Sequence, residues 1–225
     1  METRIHNPRL QDEGAEAPKA DYIHISWLYA QNYCEYQLFL EHVKGVSVEA
    51  TAAMTLGREE HQRLEDEFLA KAELDLTFAE AVEASRHSQI STRELYVEDS
   101  GLKLLGYIDE LLLGPDGFTV IDDKPVGISG KVYPSSKRQV FGYCKALKTM
   151  LGPSNDRKIT AAVRARGTDD IVWSRPFDTK AEKTIIRLAD RIHGLIAGEI
   201  PFRSALQAYK CRPCRFFDVC DRRIV

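Results

Sequence analysis

The sequence predicts an α/β domain whose mixed central sheet is flanked by helices. Three observations carry that expectation. Amphipathic helical patterns fill the first third of the chain, the period changes near Ser91 to short strand runs separated by turn residues, and helix and strand then alternate to the C-terminal region.

The elements follow in order. Residues up to about Ala20 are polar, carry Pro8, Gly14 and Pro18, and show no apolar period, so residues 1–20 are expected to be a flexible tail and residues 21–225 one domain. Ser26 is placed to cap a helix through Trp27, Leu28, Tyr33, Leu38, Phe39 and Val43, ending near Gly45. A second helix runs from Val48 to Lys71, with Gly57 in its interior suggesting close backbone approach, and a third covers Phe78 to Ser88. Arg93 to Glu98, Leu102 to Leu113 and Phe118 to Asp123 read as an antiparallel meander, with turns at Asp99-Ser100-Gly101 and Gly114-Pro115-Asp116-Gly117. A loop with Gly127, Gly130 and Pro134 leads to an amphipathic helix from Ser135 to Met150. Ile159 to Ala165 and Ile171 to Ser174 are strands. Thr179 to Ala197 is a helix stopped by Gly198 and Pro201.

Composition narrows the function classes. With 225 residues, 44% hydrophobic and 29% charged, the chain can bury a full core. Its formal charge of −3 means that any nucleic-acid contact must come from local basic sets such as Lys137, Arg138, Arg164 and Arg166. No apolar run reaches the ~18 residues of a membrane span, and no apolar signal-peptide centre precedes Tyr22. A cytoplasmic protein without a membrane partner is expected. Five cysteines then argue for metal binding over a disulfide framework, because three of them crowd together as Cys211-x2-Cys214-x5-Cys220. Four thiolates could hold an iron–sulfur cluster or a structural zinc ion, and spacing alone does not choose. Cys144, on a helix, reads as a buried small hydrophobe.

The chemistry concentrates between Gly106 and Tyr143. Asp109 lies in an apolar strand, and Asp122, Asp123 and Lys124 end the neighbouring one. Alternation puts Asp122 and Lys124 on one face and turns Asp123 away, leaving its backbone carbonyl as a further ligand. Carboxylates gathered in an apolar setting stay ionised most cheaply around a hard divalent cation, which phosphodiester cleavage also uses. A lysine beside them can stabilise the charge that develops on the phosphate. His61 offers a nitrogen that would make the site receptive to manganese. Gln139 and Tyr143, four apart, share a helical face. Each residue has a plain reading too: a core salt bridge for Asp109, a polar strand end for Asp122 and Asp123, a solvated helix face for His61.

Their order along the chain resembles the RecB-like branch of the PD-(D/E)xK nucleases and, more closely, the CRISPR-associated protein 4 family of iron–sulfur exonucleases. Ser26 with Cys34, Gly57 with His61, Gly106-x-x-Asp109, Asp122-x-Lys124, Gln139-x-x-x-Tyr143 and the final cysteine triplet carry the resemblance, over roughly Tyr22 to Cys220. The resemblance implies that His61, Asp109, Asp122 and the Asp123 carbonyl ligate magnesium or manganese, with Lys124, Gln139 and Tyr143 completing the catalytic site. It implies that Cys34, Cys211, Cys214 and Cys220 hold a [4Fe-4S] cluster, with structural zinc as the alternative. It further implies exonuclease action on single-stranded DNA ends ahead of a CRISPR integrase. A repair or phage-encoded nuclease and a non-catalytic iron–sulfur DNA-binding module are the competing readings. Two positions depart from the family: Glu35-Tyr36 follow the first cysteine where proline and arginine are common, and Asp123 stands where an apolar residue is usual.

Overall fold

The computed structural model of the protein describes residues 1–5, 21–125 and 131–225. The chain begins with a short strand, β1 (Thr3–Ile5), where a tail was expected. Ile5 is buried and β1 pairs in parallel with β3 (Leu74–Leu76), so tertiary burial overrides the polar surroundings. The remainder of the expected tail, residues 6–20, and the glycines of the expected loop, Gly127 and Gly130, lie outside the described residues.

After β2 (Ile23–His24), the single helix expected to start at Ser26 is three pieces: α1 (Ser26–Tyr33), α2 (Glu35–Leu38) and a π turn (Phe39–Val43). Ile25, not Ser26, occupies the N-cap position, and no side chain caps the helix. The break falls at Cys34, whose backbone is extended (φ −164°, ψ 113°). Neighbours from a distant segment pull the chain open there: the Tyr36 N–H donates to the Arg203 carbonyl at 3.1 Å. The next helix, α3 (Ala52–Lys71), starts where Thr51 accepts a hydrogen bond from the Met54 N–H. The shorter α4 (Phe78–Ala84) is fixed by a capping box between Thr77 and Glu80.

The meander forms as expected. β4 (Ile90–Asp99), β5 (Leu104–Gly114) and β6 (Gly117–Lys124) are antiparallel neighbours, and the crossover through α5 (Pro134–Leu151) makes β7 (Lys158–Ala165) parallel to β6. β8 (Ile171–Pro176) returns antiparallel to β7, and β2 adds in parallel to the start of β5, completing a mixed six-stranded sheet. Helices α1, α5 and α6 (Thr179–Ile196) cover one face; Leu28, Val140, Leu147, Ile185 and Ile192 pack there on Ile108, Leu111, Val120 and Val163. The opposite face meets α3 across a polar cavity of about 380 Å³ lined by Arg93, Glu110, Asp123 and Arg164. The chain ends in α7 (Ala208–Cys211) and a 3-10 turn (Phe217–Val219) that pack on α1 and α2. No described helix is long and apolar enough to cross a membrane.

Candidate metal centre and cysteine cavity

Pairing between β5 and β6 stops at Glu110↔Ile121, and beyond it the strands part. The carboxylates predicted from the sequence gather in this opening. Alternation alone would send Ile108 and Asp109 to opposite faces, yet both are buried while Tyr107 is exposed, and Leu111 and Leu113 then continue on the covered side. The slip coincides with Glu94 on β4, whose φ of +48° is a left-handed conformation rare for a glutamate. Arg93↔Glu110 and Leu95↔Ile108 flank it, so Glu94 stands across from Asp109. A strained backbone kept at such a position is a mark of a functional site.

His61 enters from α3. Its Nδ1 is 3.3 Å from Glu94 Oε1 and its Nε2 is 3.7 Å from Asp109 Oδ2. One ligand atom each from His61, Glu94 and Asp109 fall within 4.8 Å of one another, the geometry of a cation site. The hydrogen bond that the imidazole gives to Glu94 holds it above its usual pKa, reinforced by the Asp109 charge. Asp109 Oδ2 accepts the Asp123 backbone N–H at 2.7 Å, and burial together with the neighbouring Asp122 pushes its carboxyl up to about 7. The Asp123 N–H therefore faces the opening, and in an extended strand the carbonyl of the same residue leaves by the same edge.

Asp122 is fully buried, and burial raises its pKa. Lys124 Nζ lies 3.1 Å from its Oδ1, close enough for an ion pair, but among the described residues neither Asp122 oxygen has a directed hydrogen-bond partner. Two unsatisfied oxygens on a buried carboxylate are costly, and a cation is what such a pair of oxygens accommodates. Burial lowers the Lys124 pKa less than the Asp122 and Asp109 charges raise it, so the ammonium stays protonated. On α5, Gln139 Nε2 donates to Tyr143 Oη at 3.0 Å. The Tyr143 ring fits because residue 106 is glycine, where a Cβ would sit 2.9 Å from the ring. Burial, then the charges of Asp122 and Asp109, push its phenol well above 10, so it remains an O–H donor beside the carboxylates.

The Asp123 side chain turns to the other face, as alternation requires. There it accepts from Arg164 Nε at 2.7 Å and from Arg93 Nη2 at 3.0 Å, while both arginines also reach Glu110. Burial raises the Asp123 pKa, but the hydrogen bonds and charges of Arg164 and Arg93 more than offset it and hold the carboxyl below 3.8. Arg164, expected to meet nucleic acid, is thus committed to an internal ion network. Arg166 does reach the site: its guanidinium packs on Gly57, where a Cβ would be 2.9 Å from Nη1, and its charge acts on Lys124. Lys137 lies over the Trp173 ring, 5.3 Å from its centroid. Burial and then the neighbouring Arg187 lower the Arg138 pKa.

The second centre is built by the helix break. Cys34, Cys211, Cys214 and Cys220 line one cavity with Tyr33, Tyr36 and Phe216. The Ala205 N–H donates to Cys34 Sγ at 3.2 Å. Burial pushes the Cys214 and Cys220 thiols up. A single tetrahedral zinc ion needs its sulfurs roughly 3.8 Å apart, given metal–sulfur bonds of about 2.3 Å. Among the described residues no three of these sulfurs come within 4.8 Å of one another. Glu35 and Tyr36, the departures from the resembling family, hold the wall of this cavity: Glu35 takes both Arg191 Nε and Nη2, at 2.5 and 2.7 Å, and Tyr36 Oη donates to Asp221 at 2.7 Å. Cys144 is fully buried in the main core.

Sequence reasoning missed Glu94. The available signal was hairpin register, since counting back from the turn at Asp99 places Glu94 opposite Asp109.

No protein-family model matches the chain, and no curated protein matches it. Among solved structures, a candidate exonuclease from Eubacterium rectale is 13% identical with a TM-score of 0.52, over 96% of this chain and 94% of that one. The crystal structure of SSO0001 is 16% identical with a TM-score of 0.45, over 96% and 92%. The likeness to the first is one of fold.

Proposed function

We propose that this protein is a divalent-metal-dependent deoxyribonuclease acting on single-stranded DNA ends. The observation that carries the reading is the cluster of His61, Glu94 and Asp109, one ligand atom of each within 4.8 Å of the others, beside Asp122, a fully buried carboxylate whose nearest cation is the Lys124 ammonium at 3.1 Å. The donor set, several carboxylate oxygens and one imidazole, fits magnesium or manganese. His61, Asp109 and Asp122 would hold the ion with the Asp123 carbonyl, and Glu94 adds an oxygen of its own. Such an ion supplies charge neutralisation and polarises the phosphodiester.

The remaining work falls to the chain. Lys124, kept protonated by its acidic neighbours, stabilises the negative charge that builds on the phosphate as the bond breaks. Tyr143, a phenol held protonated and oriented by Gln139, can donate to a phosphate oxygen from the helix side. Arg166, pressed against Gly57, brings a guanidinium to the same opening for the next phosphate. Sharing a fold with a candidate exonuclease is consistent with this chemistry. In the four-cysteine cavity we infer a [4Fe-4S] cluster, supported by the convergence of Cys34, Cys211, Cys214 and Cys220 on one cavity, which would tie the C-terminal segment to the α1–α2 break without taking part in hydrolysis. As in the family the sequence resembles, the biological role would be trimming DNA fragments before a CRISPR integrase inserts them.

The test is degradation of end-labelled single-stranded DNA in manganese or magnesium by anaerobically purified protein, beside a Lys124→Ala control. Cleavage by the wild type alone is the expected result. No cleavage by either refutes the reading. The absorbance spectrum of the same sample tests the cluster, and a colourless protein with stoichiometric zinc would overturn that part.

A further inference from the structure

A groove of about 480 Å³ runs between α1, the first turn of α3 and the segment Pro213–Arg215. Trp27, Tyr29, Ala30 and Tyr33 line it from α1 and Met54 from α3. On α1 the core takes Leu28 completely, whereas these three rings stay only half-buried. Trp27 is held in place by a stacked His42, ring centroids 3.9 Å apart. Half-buried aromatic rings spaced along an open channel are a platform for unpaired bases.

The groove also leads somewhere. Met54, Arg58 and His61 fall at i, i+4 and i+7 on α3, one stripe along the helix. Seven residues of helix rise about 10 Å, roughly three stacked nucleotides at about 3.4 Å each. Arg58, exposed midway, is a cation where the backbone of such a strand would pass. Bases in the channel, a phosphate at Arg58 and the scissile bond at the carboxylates would then follow one stripe of α3. We propose that this groove holds the unpaired bases of a single DNA strand whose end lies at the metal centre. The inference rests on the nuclease reading and adds where the strand runs. Tyr33 and Cys214 line both the groove and the cysteine cavity, so the cysteine segment forms one wall of the track.

The test uses the full chain in a Trp173→Phe background, which leaves Trp27 as the sole tryptophan. Oligothymidylate of about eight nucleotides is titrated without added divalent ion, and binding should quench Trp27 emission. Tyr29→Ala should weaken affinity about 5- to 150-fold, the range for losing one base stack, and Tyr29→Phe should restore it. Arg58→Ala should weaken binding uniformly across sequences and lower the salt slope by about one. Unchanged emission together with unchanged affinity in Tyr29→Ala would overturn the groove. Because this titration needs no catalysis, oligothymidylate seated in a protein that degrades no DNA would refute the nuclease reading alone. DNA cleavage with no quenching and no loss of affinity would refute the groove alone.

Discussion

Asp122 and Asp123 are adjacent in β6 and both are buried, yet the two sides of the sheet treat them in opposite ways. On one side Asp123 and Glu110 meet Arg93 and Arg164 in a closed network, and Asp123 is held below its ordinary pKa. On the other, Asp109 and Asp122 crowd together with one lysine between them, and burial holds both above it. The chain can satisfy a buried acid with arginine and does so a few ångströms away. Leaving the second pair without an arginine is therefore a property of that side, and it is what the proposed cation site would require.

Four measurements would break or sharpen this contrast. Asp122→Asn should lower DNA cleavage about 10²- to 10³-fold while leaving thermal stability unchanged or slightly raised, because burial disfavours the charge it removes. A large loss of melting temperature would instead make Asp122 a structural residue. Asp123→Ala should do the reverse on stability, costing about 3–5 kcal/mol in chemical denaturation by stranding two arginines. Next, manganese at about a hundred times its dissociation constant should stabilise the wild type by about 2.7 kcal/mol, read as a rise in melting temperature, and Asp122→Asn should lose most of that rise. The last measurement concerns pH. With its carboxyl raised from 3.8 to about 7, folded Asp109 binds more protons than the unfolded chain in between, so the metal-free protein loses stability as pH rises through that window. Asp123, lowered, contributes stability that is present above 3.8 and lost as pH falls through its folded value. Melting curves of metal-free Asp109→Asn should lack the first slope and keep the second.

Much of this arrangement was legible in the sequence, for physical reasons. The meander announced itself through Asp99-Ser100-Gly101 and Gly114 to Gly117, and period-two alternation alone separated Asp123 from Asp122 and Lys124. Gly57 signalled a close approach that Arg166 makes. What escaped depends on contacts between distant residues. Glu94 sits in an ordinary-looking strand; register sets it across from Asp109, but its left-handed backbone and its contact with His61 from a distant helix have no local signal. Arg164 resembled a free surface cation until its partners on β5 and β6 were in place. The single helix expected through Cys34 had the right apolar spacing; a backbone hydrogen bond to Arg203 and another onto the Cys34 sulfur, neither visible locally, open it.

That opening at Cys34 carries a consequence for biosynthesis. Its hydrogen-bond donor Ala205 lies 171 residues further along, and three companion thiols come later still. At translation rates of roughly 5–20 residues per second, this thiol leaves the ribosome on the order of ten to thirty seconds before anything exists to shelter it. Damage by oxidants should therefore strike newborn chains far more readily than finished ones.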